Sequence, residues 1–396
     1  MKDYIYILYK VHVRLLLLSA AVLAAACSDD ADTPVGSGER DVLQLVAYSQ
    51  GMDDQSQAAT RAVTLPTGYH VYEGPNEIGV YTTTKETAPD KISTFTYING
   101  SWNSLVSVIQ GLQYYIYGYM PVAYKSAHEA PTYDIDCKIT KRTGKKFDEG
   151  AVLTFSGLPP VLAEDFCVVT GVLQLNTKES DGELVAKKFD YTGKANGSNF
   201  VCLMLDHLYS AVQFHFLVDK NYNELRTIKL KKVELKTTYD KTYPLVVEMK
   251  KDEDYSLTWG TATAPSWSND YVTLFTSDDG KPICTSEEVE ADDKKALVVD
   301  GYFIPMNDVA KLELRCTYDV YDKNGENGNL VRKNCKSVNK LYDKNIPLVS
   351  VAQNNRTVLT MTVTPTYLYV MSEPDLNNPT ITRSSRGAPH DSAEAP

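Results

Sequence analysis

LMLDHLYSAVQFHF, residues Leu203–Phe216, joins two long series of β-strand patterns. The first series ends within this stretch, and the second begins at Ser210, from which apolar and polar side chains alternate. A period of two indicates half-buried strands, and no long stretch of the chain has the 3.6-residue period of a helix. We therefore predict a seam between two groups of strands near Leu205–Tyr209.

Each series contains about seven short strand patterns separated by turn sequences, which is typical of a β-sandwich. In TIKLKKVELKT, Ile228, Leu230, Val233 and Leu235 are the candidates for inward-facing side chains. The apolar spacing jumps by three between Leu230 and Val233, so we predict a β-bulge there. The sequence predicts an all-β fold of two tandem sandwiches, residues 41–206 and 207–371.

The N-terminal segment has the pattern of an export signal. Basic residues precede the uncharged run Leu15–Ala26, which is shorter than the about 20 residues that span a membrane. Small side chains come directly before Cys27, as in a bacterial lipobox, so we predict a signal peptide at 1–26 and lipidation of Cys27. Residues 27–40 are acidic and rich in Gly and Pro, typical of a flexible tether. An ordinary signal peptide with an incidental cysteine is the alternative.

Composition excludes some partners. The chain has 396 residues, enough for two domains, and a formal net charge of −11. A negative surface repels a phosphate backbone, so we expect no nucleic-acid partner. The 27 tyrosines, against 10 phenylalanines, suit strand positions that are half exposed.

The cysteine pattern does not indicate a metal site. Of seven cysteines, six remain when Cys27 is set aside; they are widely spaced, with no C-x-x-C pair and no histidine spacing that suits zinc. Cys167, Cys202 and Cys316 lie in apolar strand patterns and are predicted to be small core residues. One disulfide can form in an exported protein, but the sequence assigns no pair.

The candidate chemical motifs favour structural interpretations. DVYDKNGENGNL, Asp319–Leu330, faintly resembles a calcium loop, but the first and twelfth ligand positions fall on Val320 and Val331, which cannot coordinate, so we predict a hairpin turn. His207 has no nucleophile elbow beside it and is predicted to be a hydrogen-bonded structural residue. Glu164 and Asp165 could serve glycosidase chemistry only in a cleft that the sequence does not show. We expect a binding or structural protein, not an enzyme, with no catalytic residue, metal or cofactor.

Several motifs together resemble one family. They are the lipobox with its acidic tether, NEIGVYTTT (Asn76–Thr84), LTFSGLPPVLAEDFCVVTG (Leu153–Gly171) and the stretch from FDYTGK to HFLVD (Phe189–Asp219). In this order and spacing they resemble the fimbrillins of the Bacteroidetes, lipoprotein precursors of surface pilus subunits. The resemblance covers most of the chain after the signal segment. It implies two transthyretin-like Greek-key β-sandwich domains, which agrees with the strand count.

The resemblance also implies how the subunit assembles. In fimbrillins an N-terminal strand fills a groove, an Arg-specific protease removes it, and a strand of a neighbouring subunit replaces it. Here Asp41–Tyr48 corresponds to the first strand, and Arg61, the only arginine between Arg40 and Arg142, to the processing site. Thr366–Met371 is the candidate donor strand, followed by a disordered tail at 372–396.

The implied partners are other pilus subunits in a head-to-tail polymer, the outer membrane through the lipid on Cys27, and a receptor on a host or bacterial surface. The expected location is the cell surface, as an outer-membrane lipoprotein precursor and then in the fimbrium. Asp41–Tyr48 as an ordinary first strand before an uncut loop, and Thr366–Met371 as a last strand within its own domain, remain alternatives.

The alternative function is glycan binding by a surface lipoprotein of the outer membrane. It would carry the same anchor and sandwiches, with Tyr and Trp forming a sugar platform. Only three tryptophans are present, and Trp102 in NGSWNS has the pattern of a hairpin position rather than a platform.

Overall fold

The computed structural model describes eighteen separate stretches of the chain. These are residues 40–50, 52, 69–71, 77–83, 92–98, 101–103, 106–125, 132–175, 184–194, 199–237, 242–251, 254–261, 263, 271–306, 312–323, 328–343, 346–364 and 380–383.

The strands up to the seam are, in chain order, β1 (Arg40–Val42), β2 (Gln44–Gln50), β3 (Tyr69–Val71), β4 (Glu77–Thr83), β5 (Ile92–Ile98), β6 (Ser101–Asn103), β7 (Ser107–Ile109), β8 (Gln113–Met120), β9 (Ala123–Lys125), β10 (Thr132–Asp134), β11 (Cys137–Lys141), β12 (Ala151–Leu158), β13 (Val161–Leu162), β14 (Cys167–Leu175), β15 (Leu184–Lys188), β16 (Asp190–Thr192) and β17 (Phe200–His207).

The strands after the seam are β18 (Ser210–Val218), β19 (Arg226–Thr237), β20 (Tyr243–Glu248), β21 (Ser256–Trp259), β22 (Val272–Pro282), β23 (Leu297–Phe303), β24 (Leu312–Asp322), β25 (Leu330–Lys340), β26 (Tyr342–Asp343), β27 (Ile346–Pro347), β28 (Arg356–Val363) and β29 (Thr380–Arg383). The helical elements are a 3₁₀ turn at Phe147–Glu149, α1 (Lys220–Leu225) and α2 (Ser286–Glu290). Neither described α-helix is long and apolar enough to cross a membrane.

Four larger sheets form the body of the protein. The ten-stranded sheet runs β3-β2-β17-β14-β8-β4-β5-β6, with β15 added to β14 and β16 to β8. A four-stranded sheet, the shared sheet, runs β11-β12-β20-β21. A five-stranded sheet, β13-β23-β18-β28-β29, and a four-stranded sheet, β22-β19-β24-β25, contribute side chains to one core after the seam. The predicted all-β class, with sheets packed as sandwiches, is confirmed.

Three clusters of buried apolar side chains lie between these sheets. β8 is buried on both faces, and its side chains alternate between two clusters. The N-terminal core includes Tyr114, Ile116, Met120, Leu45, Val169 and Leu203. The middle core includes Tyr115, Tyr117 and Tyr119, together with Leu153 and Leu245 of the shared sheet. The C-terminal core includes Phe214, Leu230, Val299, Leu314 and Leu359.

The seam is short and tightly hydrogen-bonded. Between β17 and β18 only Leu208 and Tyr209 intervene, and both are fully buried. The Leu208 N–H donates to the Phe166 carbonyl at 2.8 Å, and the Tyr209 hydroxyl donates to the Pro159 carbonyl at 2.5 Å. Burial raises the pKa of Tyr209 well above its ordinary value, so the hydroxyl stays a donor. The seam is therefore part of the core rather than a loose linker.

The shared sheet joins strands from both sides of the seam. β12 pairs antiparallel with β20, from Val152 opposite Glu248 to Phe155 opposite Leu245. The pairing places residues of the first strand series in one sheet with residues of the second. The domain boundary between residues 206 and 207 remains a prediction.

Several local predictions are confirmed. Ile228, Leu230, Val233 and Leu235 are each at most 1% exposed. The pairing of β19 with both of its neighbours shifts register between Leu230 and Lys232, as the apolar spacing predicts for a bulge. β24 and β25, which flank the predicted hairpin turn, pair antiparallel, and residues 324–327 of that turn lie outside the described residues.

Two further predictions concern the cysteines and the C-terminal segment, residues 372–396. Cys167, Cys202 and Cys316 are buried as predicted, and no disulfide joins any two of the six described cysteines. The predicted disordered tail, 372–396, contains β29, which pairs antiparallel with β28. For Thr380–Arg383 the prediction of disorder is therefore wrong, because β28 offers these residues a backbone partner; the rest of that segment lies outside the described residues.

Candidate functional site

The candidate exchangeable strand, Asp41–Tyr48, is two elements rather than one. β1 pairs antiparallel with β7. The backbone N–H of Leu43 then donates to the Val106 carbonyl at 2.8 Å, and that of Gln44 donates to the Asn199 carbonyl at 2.7 Å. The chain thus changes partner at Leu43, and β2 continues in the ten-stranded sheet.

β2 lies parallel to β17. The register runs from Gln44 opposite Phe200 to Ser49 opposite Leu205. On the buried face, Leu45 is 3% exposed and Ala47 is 1% exposed, so the alternation predicted for this strand is confirmed. The apolar side chains of β2 are thus a fixed part of the N-terminal core.

The surface that receives β2 is a row of apolar side chains on β17. Val201, Leu203 and Leu205 are each at most 1% exposed and belong to the same core as Leu45 and Ala47. Apolar surface returned to water costs about 25 cal/mol per Å². Removal of β2 would therefore leave an unfavourable apolar groove beside an unpaired backbone edge.

On its other side, β2 is paired along a short length. Tyr48 lies opposite Val71, and Gln50 lies opposite Tyr69 in β3. In the described part of the chain, this pairing is confined to the last three residues of β2. The parallel pairing with β17 and the contacts in the N-terminal core therefore hold most of β2.

A buried asparagine fixes the start of the parallel register. Asn199 is 2% exposed, and its carbonyl accepts from Gln44. Its side-chain oxygen accepts from the Tyr191 hydroxyl at 3.0 Å and from the Lys194 N–H at 2.8 Å, and its amide donates to the Lys194 carbonyl at 3.0 Å. These bonds satisfy the side chain and hold Asn199 against Tyr191 and Lys194.

The other predicted site residues lie outside the described residues. They are Cys27, Arg61 and the candidate donor strand Thr366–Met371. Arg40, the last residue of the predicted tether, begins β1 and so belongs to a strand.

A second feature is a buried polar cluster at the seam. His207, 6% exposed, has Nδ1 at 2.5 Å from Oδ2 of Asp165, which is 5% exposed. The Sγ atom of Cys167, which is fully buried, lies 3.2 Å from the same Nδ1. His207 is thus a hydrogen-bonded residue at the seam, as predicted. Because both neighbours meet one ring nitrogen, the arrangement is not that of a nucleophile–histidine–acid triad, which uses the two nitrogens separately.

Strand register creates this cluster. Cys167 begins β14 and His207 ends β17, and the two are directly opposite in the antiparallel pair. Asp165 comes two residues before β14. Asp165 and His207 are 42 residues apart, and no pattern in the sequence links them. The one local feature of the sequence that could have indicated the cluster is Asp165-Phe166-Cys167, which places two polar side chains at the start of an apolar strand.

The paired carboxylates Glu164 and Asp165 line a cavity of about 350 Å³. Asp300 and Tyr302 of β23 and Phe275 of β22 also line it. The Gln213 amide donates to Asp300 at 3.0 Å, so this carboxylate is held in position. The cavity brings acidic and aromatic side chains of three segments together at the edge of the polar cluster.

No protein-family model matches the chain, and no curated protein does. Among solved structures, the chain is similar to a fimbrial protein from Bacteroides vulgatus, at 14% identity and a TM-score of 0.32, over 87% of this chain and 99% of that chain. A candidate cell adhesion protein from Bacteroides fragilis is 10% identical, with a TM-score of 0.35, over 88% and 98% of the two chains. A candidate cell adhesion protein from Bacteroides uniformis is 14% identical, with a TM-score of 0.30, over 85% and 98%.

Proposed function

We propose that the protein is a structural subunit of a surface fimbria that polymerises by donor-strand exchange after cleavage at Arg61. The observation that carries the proposal is β2, a strand that completes the N-terminal core in parallel with β17. A strand held in this way is the element that a neighbouring subunit would replace.

Cleavage after Arg61 would change how β2 is held. Of the described elements, β1 and β2 lie on the N-terminal side of Arg61, and all the others follow it. After the cut, hydrogen bonds and packing alone would hold these two strands to the body. Release of the two strands would then lose noncovalent contacts but increase the conformational entropy of the released segment. A competing strand could therefore displace them.

The vacated groove specifies what can replace β2. β17 would offer unpaired backbone groups, and its row Val201, Leu203 and Leu205 would accept apolar side chains at every second residue. If Thr366–Met371 (TYLYVM) is extended, the alternation of its sequence would put Tyr367, Tyr369 and Met371 on one face and Leu368 and Val370 on the other. This segment of a neighbouring subunit is the proposed donor.

Strand donation between different surfaces of two copies is a heterologous contact. Such a contact does not close on itself and extends as a filament. Cys27, behind its signal segment, is the proposed lipid site that holds the precursor at the outer membrane before Arg61 is cut. The assembled filament would present the subunits to a receptor on a neighbouring cell or host surface.

The test is replacement of Arg61 by alanine in the producing cells. The Arg61→Ala protein is expected to fold, keep β1 and β2 in place, and form no polymer, because the strand remains covalently attached. Mass spectrometry of the N-terminus, unheated gel electrophoresis and electron micrographs of the cell surface read the outcome. Wild-type protein should begin at Ala62 and form a ladder of multimers.

Two matched variants complete the design. Arg61→Lys keeps the charge but removes the arginine, and it should also block polymerisation. Thr60→Ala alters the same segment and keeps Arg61, so its ladder should match that of the wild type. A normal ladder from Arg61→Ala would refute Arg61 as the trigger.

A further inference from the structure

The buried cluster Asp165–Cys167–His207 supplies three different metal-ligand atoms. The carboxylate oxygen, the thiol sulfur and the imidazole nitrogen all lie within 4.8 Å of one another. An oxygen, a sulfur and a nitrogen donor together suit Zn²⁺, which accepts all three in tetrahedral sites. Hard cations such as Mg²⁺ and Ca²⁺ prefer oxygen donors alone.

The spacing of the ligand atoms is close to that of a zinc site. Bond lengths of about 2.0–2.3 Å in a tetrahedron place ligand atoms about 3.4–3.6 Å apart. The Cys167 Sγ to His207 Nδ1 distance is 3.2 Å, and the His207 Nδ1 to Asp165 Oδ2 distance is 2.5 Å. Both distances need to open by less than about 1 Å, which side-chain rotation supplies.

The backbone holds two of the ligand residues, Cys167 and His207, opposite each other, and Asp165 lies just before β14. Cys167 and His207 face each other across the β14–β17 pair, and the Leu208 N–H next to His207 bonds the Phe166 carbonyl next to Cys167. A site on paired strands is more rigid than one on loops. The ligands are thus assembled before any metal arrives.

One oxygen of the cluster has no partner. Asp165 Oδ1 is buried and accepts no hydrogen bond in the described part of the chain. A buried carboxylate oxygen without a partner is unfavourable, because it has lost the water that would solvate it. This unpaired oxygen indicates a ligand independently of the spacing of the three ligand atoms. A cation held by the Asp165 carboxylate would compensate the negative charge of both of its oxygens.

The cavity gives the cluster a route from solvent. Asp165 lines it together with Glu164 and Asp300, so its wall is acidic. A cleft lined by one sign of charge raises the local concentration of the opposite ion. A divalent cation would therefore be drawn to the side of the cluster where Asp165 lies.

We propose that the protein binds one Zn²⁺ at the seam through Asp165 Oδ2, Cys167 Sγ and His207 Nδ1, with water as the fourth ligand. On binding, the Cys167 thiol loses its proton to solvent, and Nδ1 of His207 carries none, so that sulfur and nitrogen each give an electron pair to the metal. The metal bridges the start of β14 and the end of β17. The site concerns the stability of each subunit and is independent of cleavage at Arg61.

The experiment titrates the metal-free full chain with Co²⁺ alone and then with Zn²⁺ alone. Co²⁺ bound to a thiolate gives a near-ultraviolet charge-transfer band, which Zn²⁺ should abolish by displacement. We expect saturation at one Co²⁺ per chain and a rise in the thermal midpoint with Zn²⁺. Chelator should reverse both effects.

Three variants assign the ligands. Cys167→Ser should lose the charge-transfer band, and Cys202→Ser, an equally buried cysteine on β17, should keep it. Asp165→Asn has nearly the same shape and should bind Zn²⁺ at least about tenfold more weakly, with a smaller rise in midpoint. If Cys167→Ser fails to fold, the Asp165→Asn titration decides.

Three results would each overturn the site. The first is the absence of saturable binding in the wild type. The second is a band that survives Cys167→Ser. The third is an Asp165→Asn protein with unchanged affinity and midpoint rise.

Discussion

The ten-stranded and five-stranded sheets each contain one parallel pair of strands, and the two pairs meet at the seam. β17 pairs parallel with β2, which precedes it in the chain, and β18 pairs parallel with β28, which follows it. In both pairs an asparagine carbonyl accepts a backbone hydrogen bond at the start of the pairing. The Gln44 N–H donates to the Asn199 carbonyl, and the Ala211 N–H donates to the Asn355 carbonyl. The same local geometry is thus built twice.

The two pairs differ in length and in how they end. β18 and β28 are paired over eight successive residues, from Ala211 opposite Arg356 to Val218 opposite Val363, whereas β2 and β17 are paired over six. The Asp219 N–H also bonds the Val363 carbonyl at 2.8 Å, beyond the last pair. β28 is therefore held to its parallel partner along a greater length than β2 is.

The largest expected effect is in β28. Leu359→Ala deletes a fully buried side chain from the C-terminal core, and the cavity should cost about 4 kcal/mol in free energy of unfolding. Urea unfolding followed by circular dichroism measures it. Val358→Ala, at a half-buried position of the same strand, should cost well under half as much. Equal losses in the two variants would mean that β28 is not a core strand.

An intermediate effect is expected in β2. Leu45→Ala removes a side chain at the edge of the N-terminal core, and we expect a loss of about 2–3 kcal/mol. Hydrogen exchange should show faster opening at β2 and β17, with β18 and β28 unchanged. Val46→Ala, half-buried on the same strand, is the control. Faster exchange in β28 as well would show that the two parallel pairs open together.

The smallest expected effect is a difference in acid sensitivity. Burial raises the pKa of Glu234 in β19, but hydrogen bonds from Arg315, at 2.7 and 2.8 Å, and from Lys232 outweigh it and leave the pKa below its usual value. A lowered pKa in the folded state contributes stability above the unfolded value of about 4.3, and this stability is lost as pH falls through the folded value.

Urea midpoints at pH 7 and at about pH 3 test this contribution. The wild type should lose more stability between the two than Glu234→Gln does, with the difference confined to the strands around the C-terminal core. Glu149→Gln is the comparison at an exposed site. Hydrogen bonds from Lys145 and from the Lys146 N–H also lower the pKa of Glu149, but solvent screens them, so this variant should change the acid loss less than Glu234→Gln does. If Glu234→Gln keeps the full acid loss, the pair with Arg315 does not contribute it.

Local patterns predicted the strands well. The apolar spacing of Ile228, Leu230 and Val233 revealed the bulge because a slip of one residue changes which face a side chain occupies. The alternation in β2 predicted its buried face for the same reason. β29 was missed because a four-residue strand carries little pattern of its own and depends on the edge that β28 offers.

Contacts between distant segments could not be predicted from these patterns. His207 meets Cys167 only because β14 and β17 pair in one particular register, and no local spacing encodes that register. The pairing of β12 with β20 across the seam has the same origin. Cys27 and Arg61 remain predictions from sequence motifs.

The shared sheet has a mechanical consequence. If tension acts along the chain between the N-terminal core and the C-terminal core, it reaches β12 and β20, whose backbones are bonded at several successive residues. The Met249 N–H also bonds the Ala151 carbonyl at 2.8 Å, and the Lys251 N–H bonds the Glu149 carbonyl at 3.1 Å. These bonds lie side by side, so they must shear together rather than break one after another. Under load, the protein should yield as one stiff body, with a force threshold set by the shared sheet.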